Sequence, residues 1–329
     1  MMNTNILNKL LIALIVTIIS LSFILISYTN ASNENSIHYY DSSVNPSELL
    51  PENDINDTEE KIIQYDAETG KRLELDKSEL ANEAKKITSS KGIKYNTTSS
   101  YIPKFQSSTP LQQRDVGTYY YINNMTGFPY RTICRIKYYV NGDEYIASGF
   151  MVASNLLLTA AHCVMNNSNT GYSNWTAYPG YMSGTSYNNV SSGWSQIYYS
   201  SNWANNHNAE DDWCLCKLNS SIGSQTGWMG CQSYGTNSEM NGLSVRAVGY
   251  PENPGGGEYQ YYTSGSITAT YNKYFSADAV VSGGMSGGPV ARGDAKAVGI
   301  VRGYYTNNPN LAFDVRITQT IIDLINNNS

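Results

Sequence analysis

The chain has 329 residues, a net charge of −6 and 41% hydrophobic residues, enough for a sizeable core. It has no run of Lys and Arg, which argues against a nucleic-acid-binding protein that relies on clustered cations. Five cysteines without a C-x-x-C pair are too few for a disulfide-dense scaffold and predict neither a zinc site nor a redox motif. We therefore expect an acidic globular protein without a cofactor or a metal motif; a calcium site in a loop stays open.

Residues 1–31 have the pattern of an export signal. Lys9 is their only charge, an apolar run follows from Leu10 to Ile26, and small or polar residues precede a possible cut after Ala31. The pattern predicts a signal peptide and a secreted protein. Since the apolar run is long, an uncleaved anchor at the cell surface is the alternative.

Residues 32–115 differ in composition from the rest, with 25 charged residues in 84 and neither Cys nor Trp. Asp76 and Glu79 have the spacing of a helix N-terminal capping box, followed by an apolar stripe of Leu80, Ala84 and Ile87. Residues 88–113 turn to Ser, Thr, Lys and Pro, which is typical of a linker. We interpret 32–115 as a propeptide and linker that assists folding or blocks an active site, with a disordered spacer as the alternative.

Residues 116–329 form the third part and contain all five cysteines. Short alternating runs, separated by Gly, Asn, Ser and Pro, predict many strands and an all-β sandwich or barrel. A helical pattern appears only at the end, at Ile317, Ile321, Leu324 and Ile325. The predicted strands are Ile133–Val140, Tyr145–Val152, Trp213–Leu218, Ser244–Val248, Tyr259–Thr263, Ala297–Val301 and Leu311–Val315.

Three segments contain residues suited to catalysis. An apolar strand ends at His162, an acidic pair at Asp211 and Asp212 opens another strand, and Ser286 stands among four glycines. Each segment also has an ordinary structural explanation. The histidine could be structural, the acidic pair could form a solvated turn, and the glycines could form a flexible loop. Together they supply a weak nucleophile, a base that titrates near neutral pH, and a carboxylate that orients the base.

The sequences around His162 and Ser286 resemble the corresponding motifs of the chymotrypsin family. They read Thr159-Ala160-Ala161-His162-Cys163 and Gly284-Met285-Ser286-Gly287-Gly288-Pro289. Further segments resemble the bacterial glutamyl endopeptidase branch: Phe128-Pro129-Tyr130-Arg131, Gly249-Tyr250-Pro251, Ile222-Gly223 and Arg316-Ile317-Thr318. The resemblance covers residues 116–329 and implies a chymotrypsin-like double antiparallel β-barrel with a C-terminal helix. It also implies a serine endopeptidase with its active site between the barrels.

The resemblance assigns roles to individual residues. His162 is the expected general base and acid, Asp212 rather than Asp211 orients it, and Ser286 attacks the peptide carbonyl. The amides of Gly284 and Ser286 form the expected oxyanion hole. The segment Val301-Arg302-Gly303 resembles the strand that pairs with the substrate backbone. The expected partners are protein or peptide substrates and the chain's own propeptide, and we expect a monomer.

Three positions depart from patterns in the family. Family members that are activated by a new N-terminal amine have an Asp at the position of Met285, which binds that amine. Since Met285 has no carboxylate, we expect any activation of this chain to use a different contact. Glutamyl endopeptidases place a His where this chain has Val301, and often a hydroxyl residue where it has Val281. A pocket of two valines gives a carboxylate no hydrogen bond, so we expect a neutral or apolar substrate side chain. Arg302 or the mature N-terminus is the remaining source of positive charge for the glutamyl-specific alternative.

The cysteines leave their pairing open. By the resemblance, Cys134 is the replacement partner expected for Cys163, and a disulfide between them is possible. Cys214 and Cys216 share one face of a strand and are poorly placed to bond each other.

Hypotheses from other functional classes also stay open. An inactive homologue that binds peptides or cell-wall ligands and an anchored surface protein are the alternatives to an enzyme. A Cys nucleophile is a formal alternative to Ser286. The mature N-terminus is placed by composition and resemblance near Arg114-Asp115-Val116.

Overall fold

The structure is a computed structural model that describes residues 37–39, 43–49, 60–91, 96–101 and 118–329. The predicted export signal and most of the predicted linker lie outside these residues. Contacts divide the chain into two units, Met1–Ile37 and His38–Ser329, and almost all described residues belong to the second. Within the described part, no helix has the length and apolarity needed to span a membrane.

The described residues of the predicted propeptide form four short strands and one α-helix. The predicted helix N-terminus is confirmed, since Asp76 Oδ1 accepts the Ser78 amide at 2.7 Å. Ala84, in the middle of the predicted stripe, is fully buried, and this helix packs against the last helix of the chain. The elements are β1 (Ile37–Tyr39), β2 (Ser43–Val44), β3 (Ile62–Asp66), β4 (Arg72–Leu75) and α1 (Lys77–Lys91).

Strands dominate the rest of the chain, as predicted. They are β5 (Tyr120–Tyr121), β6 (Ile133–Val140), β7 (Asp143–Met151), β8 (Leu156–Thr159), β9 (Ser173–Pro179), β10 (Trp194–Ser200), β11 (Cys214–Leu218), β12 (Gly230–Cys231), β13 (Ser244–Gly249), β14 (Tyr261–Thr270), β15 (Tyr274–Ala277), β16 (Pro289–Ala291), β17 (Lys296–Tyr305) and β18 (Asn308–Arg316). The helices are α2 (Ser201–Asn206), α3 (Gly223–Thr226) and α4 (Gln319–Asn328). The predicted all-β class with a C-terminal helix is confirmed.

The strands form two sheets, one for each half of the domain. In the second sheet the order β17-β16-β13-β14-β15-β18 closes because β18 also pairs with β17, which makes a six-stranded barrel. In the first sheet the order is β10-β11-β8-β7-β6-β9, and β3 and β4 extend it beyond β10. The predicted propeptide therefore adds strands to the first half of the domain.

Apolar side chains of the strands fill both halves. Ile133, Ile136 and Leu157 are fully buried in the first half. In the second half, Val281, Val301, Phe275 and Met285 belong to one buried cluster. These two cores fix the strands and loops that hold His162, Asp212 and Ser286.

Candidate active site

His162 lies at the end of a strand that the core holds rigidly. Strand β8 is fully buried, and the chain then turns through a short 3₁₀ helix, Ala161–Cys163. The His162 side chain is only 3% exposed, so the imidazole is inside the protein rather than on a solvated turn. Strand β8 pairs with β11, the strand that follows Asp212, and this pairing brings the two residues together.

Asp212 accepts two hydrogen bonds from His162. Its Oδ2 lies 2.6 Å from the imidazole Nδ1, and its Oδ1 accepts the His162 amide at 2.9 Å. The second bond fixes the carboxylate plane, and the first sets the tautomer that leaves Nε2 as the acceptor. Asp212, not Asp211, occupies this place, as the sequence predicted.

Burial and charge set the protonation of this pair. Burial lowers the pKa of His162, the Asp212 charge opposes that effect, and Arg302 lowers it further. For Asp212, burial alone would raise the pKa, but the His162 charge and hydrogen bonds, with the Arg302 charge, hold it below its ordinary value. A neutral imidazole beside an ionised carboxylate is the form that a general base requires.

Ser286 is held on a loop that only glycine can form. Gly284 has φ +85°, and a Cβ there would lie 2.3 Å from the Tyr250 carbonyl oxygen. Gly287 has φ +83°, and a Cβ there would lie 2.0 Å from Thr159 Oγ1. The predicted Gly-rich turn is therefore packed against neighbouring backbone and is not a flexible spacer.

Sequence reasoning missed Ser148, which locks this loop to the first half of the domain. The Ser148 hydroxyl donates to the Gly284 carbonyl at 2.7 Å and accepts the Tyr250 amide at 2.9 Å. The Ser148 amide donates to the Ser286 carbonyl at 2.8 Å. Nothing in the strand pattern around Ser148 distinguishes it from an ordinary inward-facing strand residue.

The loop presents backbone donors beside Ser286. The amides of Met285, Gly287 and Gly288 donate to protein carbonyls, whereas those of Gly284 and Ser286 bond to no acceptor among the described residues. This is the arrangement that an oxyanion hole needs, since its donors must be available to a substrate oxygen.

The structure brings the three predicted residues into one neighbourhood. The Cys163 Sγ, next along the chain from His162, lies 3.5 Å from the Ser286 carbonyl oxygen. The Ser286 hydroxyl donates to the Arg302 carbonyl at 3.4 Å, and the Arg302 side chain contacts Asp212. The site therefore joins β8, the turn before β11, the glycine loop and β17.

Arg302 corrects one expectation. The sequence left it as a source of positive charge for a substrate carboxylate, but its Nε lies 2.9 Å from Asp212 Oδ2. Its side chain is 11% exposed, so the guanidinium is committed to the interior of the site. The structure therefore places the charge of Arg302 beside Asp212.

The cysteines correct the expectation of a disulfide. Cys134 and Cys163 form no disulfide, and all five cysteines are free and buried. The Cys163 sulfur contacts the Ser286 carbonyl, while the Cys134 Sγ lies 3.8 Å from the Thr132 carbonyl oxygen. Burial raises the pKa of the Cys163 thiol well above its ordinary value, with a contribution from Asp212, so this thiol stays protonated. Cys214 and Cys216 are fully buried, and their sulfurs lie 3.8 Å apart without a disulfide.

An acid lies beside the expected substrate pocket, which sequence reasoning did not find. Asp314 pairs with Val301 across β17 and β18, so both side chains share one face of the sheet. Asp314 is fully buried, neither carboxyl oxygen has a hydrogen-bond partner in the described chain, and burial raises its pKa well above the ordinary value. Burial therefore favours its uncharged form, and the neighbouring Val281 and Val301 belong to the buried apolar cluster of this half.

Two residues of the predicted propeptide segment lie against the site. A methyl group placed on Gly284 would be 3.1 Å from ring atoms of Tyr39, so this ring covers the glycine. Val44 accepts a hydrogen bond from the Thr306 amide at 2.9 Å, because β2 pairs in parallel with residues Tyr304 and Tyr305 of β17. Strand β18 occupies one edge of β17 here, so β2 occupies the other.

Comparisons with known proteins agree with this geometry. Residues 147–300 match the family described as the trypsin-like peptidase domain. A Glu endopeptidase structure is similar with a TM-score of 0.56 and 23% identity, over 64% of this chain and 97% of the other. The protease Anisep from Arthrobacter nicotinovorans is similar with a TM-score of 0.52 and 24% identity, over 60% of this chain and 94% of the other.

The fold is that of the chymotrypsin-like serine proteases. The predicted resemblance is confirmed at the level of the fold. A curated relative, the extracellular metalloprotease of Bacillus subtilis (strain 168), is 30% identical over 174 residues. The match covers 52% of this chain, and the chain spans about half the length of that relative.

The metal in the name of that relative has no counterpart in the chymotrypsin-like site. In the part of the chain that the structure describes, no group of three or more His, Cys, Asp and Glu side chains is placed to hold a metal ion. The donors around His162 are one imidazole and one carboxylate that is already paired with a guanidinium. We therefore derive no step through a metal.

Proposed function

We propose that the chain is the precursor of a secreted serine endopeptidase which cleaves peptide bonds through an acyl-enzyme. The observation that carries this proposal is the buried His162–Asp212 pair beside Ser286 on a rigid glycine loop. The extracellular and protease parts of the B. subtilis relative's name support the same activity and location. The export pattern in residues 1–31 supports secretion, with an uncleaved anchor as the alternative.

The proposed reaction uses each residue in turn. The Ser286 oxygen bonds to the peptide carbonyl carbon while His162 takes its proton, and Asp212 stabilises the imidazolium. The amides of Gly284 and Ser286 hold the oxygen that becomes negative, and losing one such donor typically costs about 10²–10³ in rate. The C–N bond then breaks as His162 gives its proton to the leaving amine. Water, deprotonated by His162, releases the acyl group.

The substrate is proposed to bind as an added strand. The Val301 amide and carbonyl already bond to Gly288 and Gly287, so the backbone of Arg302 and Gly303 in the predicted segment is proposed to pair with the substrate, which needs no particular side chain. Side-chain choice falls to the apolar region around Val281 and Val301. We propose a preference for neutral side chains before the cut bond, because Arg302 is paired with Asp212 and burying an unpaired carboxylate is costly.

Residues 32–115 are proposed to be a propeptide that keeps the precursor inactive. Tyr39 covers the glycine of the expected oxyanion hole, and Ser43–Val44 pair with β17 on the edge proposed for substrate. A protease held in this way becomes active when the segment is cut or displaced. The mature N-terminus is proposed near Arg114.

Replacing the nucleophile tests the activity. The processed Ser286→Ala protein should keep its thermal unfolding midpoint and lose casein hydrolysis to background. The matched control is Ser282→Ala, four residues earlier on the same loop, which should cleave at a rate close to the wild type. Cleavage by Ser286→Ala at the wild-type rate would show that the proposed nucleophile is wrong.

A peptide library tests the specificity. The processed enzyme should cut after neutral side chains, and sequencing of the products should show no dominant acidic residue. A uniform Glu or Asp preference would refute the pocket proposal and support the glutamyl-specific alternative. A uniform Lys or Arg preference would refute it as well and would identify Asp314 as an ionised part of the pocket.

A further inference from the structure

Arg302 is placed unusually close to the centre of the proposed machinery. Its Nε lies 2.9 Å from Asp212 Oδ2, the oxygen that is 2.6 Å from His162 Nδ1. One carboxylate oxygen thus has an imidazole and a guanidinium as neighbours. Since the Asp212 side chain is 1% exposed and that of Arg302 is 11% exposed, solvent screens this contact weakly.

The backbone of Arg302 contacts the nucleophile at the same time. The Arg302 carbonyl accepts the Ser286 hydroxyl at 3.4 Å, and the neighbouring Val301 carbonyl accepts the Gly287 amide at 2.7 Å. Strand β17 therefore anchors the glycine loop through its backbone and Asp212 through one side chain. A shift of Arg302 would move both ends of the site.

The charges around the imidazole can be counted from each element that packs against it. Asp212 precedes β11, Arg302 lies on β17, and three cysteine thiols, Cys163, Cys214 and Cys216, lie on the adjoining turn and strand. Burial raises the pKa values of the Cys163 and Cys214 thiols well above the ordinary value, so both stay uncharged. Asp211 turns away and pairs with Lys273 at 2.8 Å. The facing charges are those of Asp212 and Arg302.

These two charges cancel while the imidazole is neutral. When His162 gains a proton, the cluster carries a net charge of +1, whereas the same cluster without Arg302 would be neutral in that state. Arg302 therefore disfavours the protonated imidazole of the resting site. The same guanidinium holds Asp212 ionised and in place under the ring.

We propose that Arg302 is a positioning residue that fixes the Asp212 carboxylate and keeps His162 uncharged, so that peptide hydrolysis extends to more acidic pH. The proposal rests on the proposed serine-protease function. The direction of the His162 pKa agrees with it, because burial lowers that pKa and the Arg302 charge lowers it further. A residue that only filled space at this position would leave the titration of His162 unchanged.

The first experiment needs no enzyme activity. The full chain carrying Ser286→Ala is titrated by NMR, and its three histidines make the imidazole signals assignable. Adding Arg302→Met should move the His162 titration to higher pH, while adding Arg302→Lys should leave it nearer the parent. The control is Arg292→Met, because Arg292 pairs with Asp294 on the surface and should leave His162 unchanged.

The second experiment measures kcat/KM of the processed enzyme against pH on a fluorogenic peptide. Between pH 8 and pH 5, the kcat/KM of the Arg302→Met enzyme should fall by a factor about ten times larger than that of the wild type. Arg302→Lys should restore most of the acidic limb, and Arg292→Met should match the wild type. Organophosphonate titration of Ser286 corrects each rate for the active fraction.

The outcomes separate the two proposals. A His162 titration that Arg302→Met leaves in place, or moves to lower pH, overturns the role of Arg302 even if the enzyme is active. If Arg302→Met does not fold, the Arg302→Lys variant decides. A His162 titration equal to that of the parent supports the charge role of Arg302. A titration that moves to higher pH, by as much as complete loss of the charge would cause, overturns that role. A wild-type enzyme that cleaves no peptide overturns the proposed function, while the NMR result still decides how Arg302 acts.

Discussion

At the scale of single residues, the largest departure from expectation is a buried acid without a partner. Asp314 is fully buried and its two carboxyl oxygens have no hydrogen-bond partner in the described chain. Burial raises its folded-state pKa, so the folded protein keeps a proton that the unfolded chain loses above pH ~4. The free energy of unfolding therefore falls as pH rises from the pKa of Asp314 in the unfolded chain toward its higher pKa in the folded protein.

Asp314→Val should stabilise the protein. Valine has a similar volume, suits a strand and leaves no buried polar group, so the free energy of unfolding should rise by about 1–3 kcal/mol. The gain should be larger at pH 8 than at pH 4, as measured by urea unfolding of the Ser286→Ala chain. The control is Asp143→Val, an exposed position at the start of β7. A variant that is less stable than its parent at pH 8 would show that Asp314 has a structural partner.

The residues that sequence alone identified are those whose chemistry is local. His162 follows a buried strand, Ser286 stands in a glycine run, and Asp212 opens a strand. The role of Arg302 was missed because its partner is 90 residues earlier in the chain, and no spacing rule connects them. Asp314 was missed for the same reason, since only the pairing of β17 with β18 puts it beside Val301.

At the scale of elements, alternation predicted the strands well but not what they pair with. Ile133–Val140 is observed with both predicted ends, whereas the strand predicted at Tyr259–Thr263 is observed at Tyr261–Thr270. The pairing of β3 with β10 joins residues 130 or more positions apart. Local pattern gives no information on such a partner, because many strands have equally suitable edges.

A buried charge cluster holds the predicted propeptide to both halves of the domain. Glu60 pairs with Lys77 of its own segment and with Lys273, which in turn pairs with Asp211 at 2.8 Å. Burial and then the Glu60 charge raise the pKa of Asp211 to about 7, against the opposing effect of Lys273. Release of the segment removes Glu60 and lowers the Asp211 pKa, so release frees a proton and is favoured as pH rises through about 7.

Hydrogen exchange checks this pH dependence. In the full Ser286→Ala chain, the opening free energy of residues 60–91 should be about 1 kcal/mol lower at pH 8 than at pH 6, after correction for intrinsic exchange. Glu60→Gln should reduce that difference because it removes the charge facing Asp211, while the larger effect of burial remains. Equal opening at both pH values, or the same difference in Glu60→Gln, would exclude a role for this cluster in release.

At the scale of the whole molecule, the chain contains both a domain with the chymotrypsin-like fold and a segment that lies against its proposed site. Tyr39 contacts the expected oxyanion-hole glycine, and burial, then the Glu252 charge, raises the Tyr39 pKa to about 12, so its hydroxyl is uncharged. The ring thus covers Gly284 as a neutral group. Opening the site requires this ring to leave.

Tyr39→Ala should increase the activity of the uncut precursor. Loss of this half-buried aromatic contact, about 1–2 kcal/mol, should raise the open fraction, and the hydrolysis of a small fluorogenic peptide, roughly tenfold. The control is Tyr121→Ala, since Tyr121 is 46% exposed. Precursor activity that Tyr39→Ala leaves unchanged, with the processed enzyme fully active, would show that this contact does not hold the site closed.

The central claim is that Ser286 is a hydroxyl activated by the buried His162–Asp212 pair. The most direct measurement is labelling of the processed protein with an active-site-directed organophosphonate, followed by peptide mass spectrometry. The account predicts one adduct, on Ser286, which disappears in His162→Ala although the serine remains. An unlabelled wild-type protein, or an adduct on another residue, would contradict it.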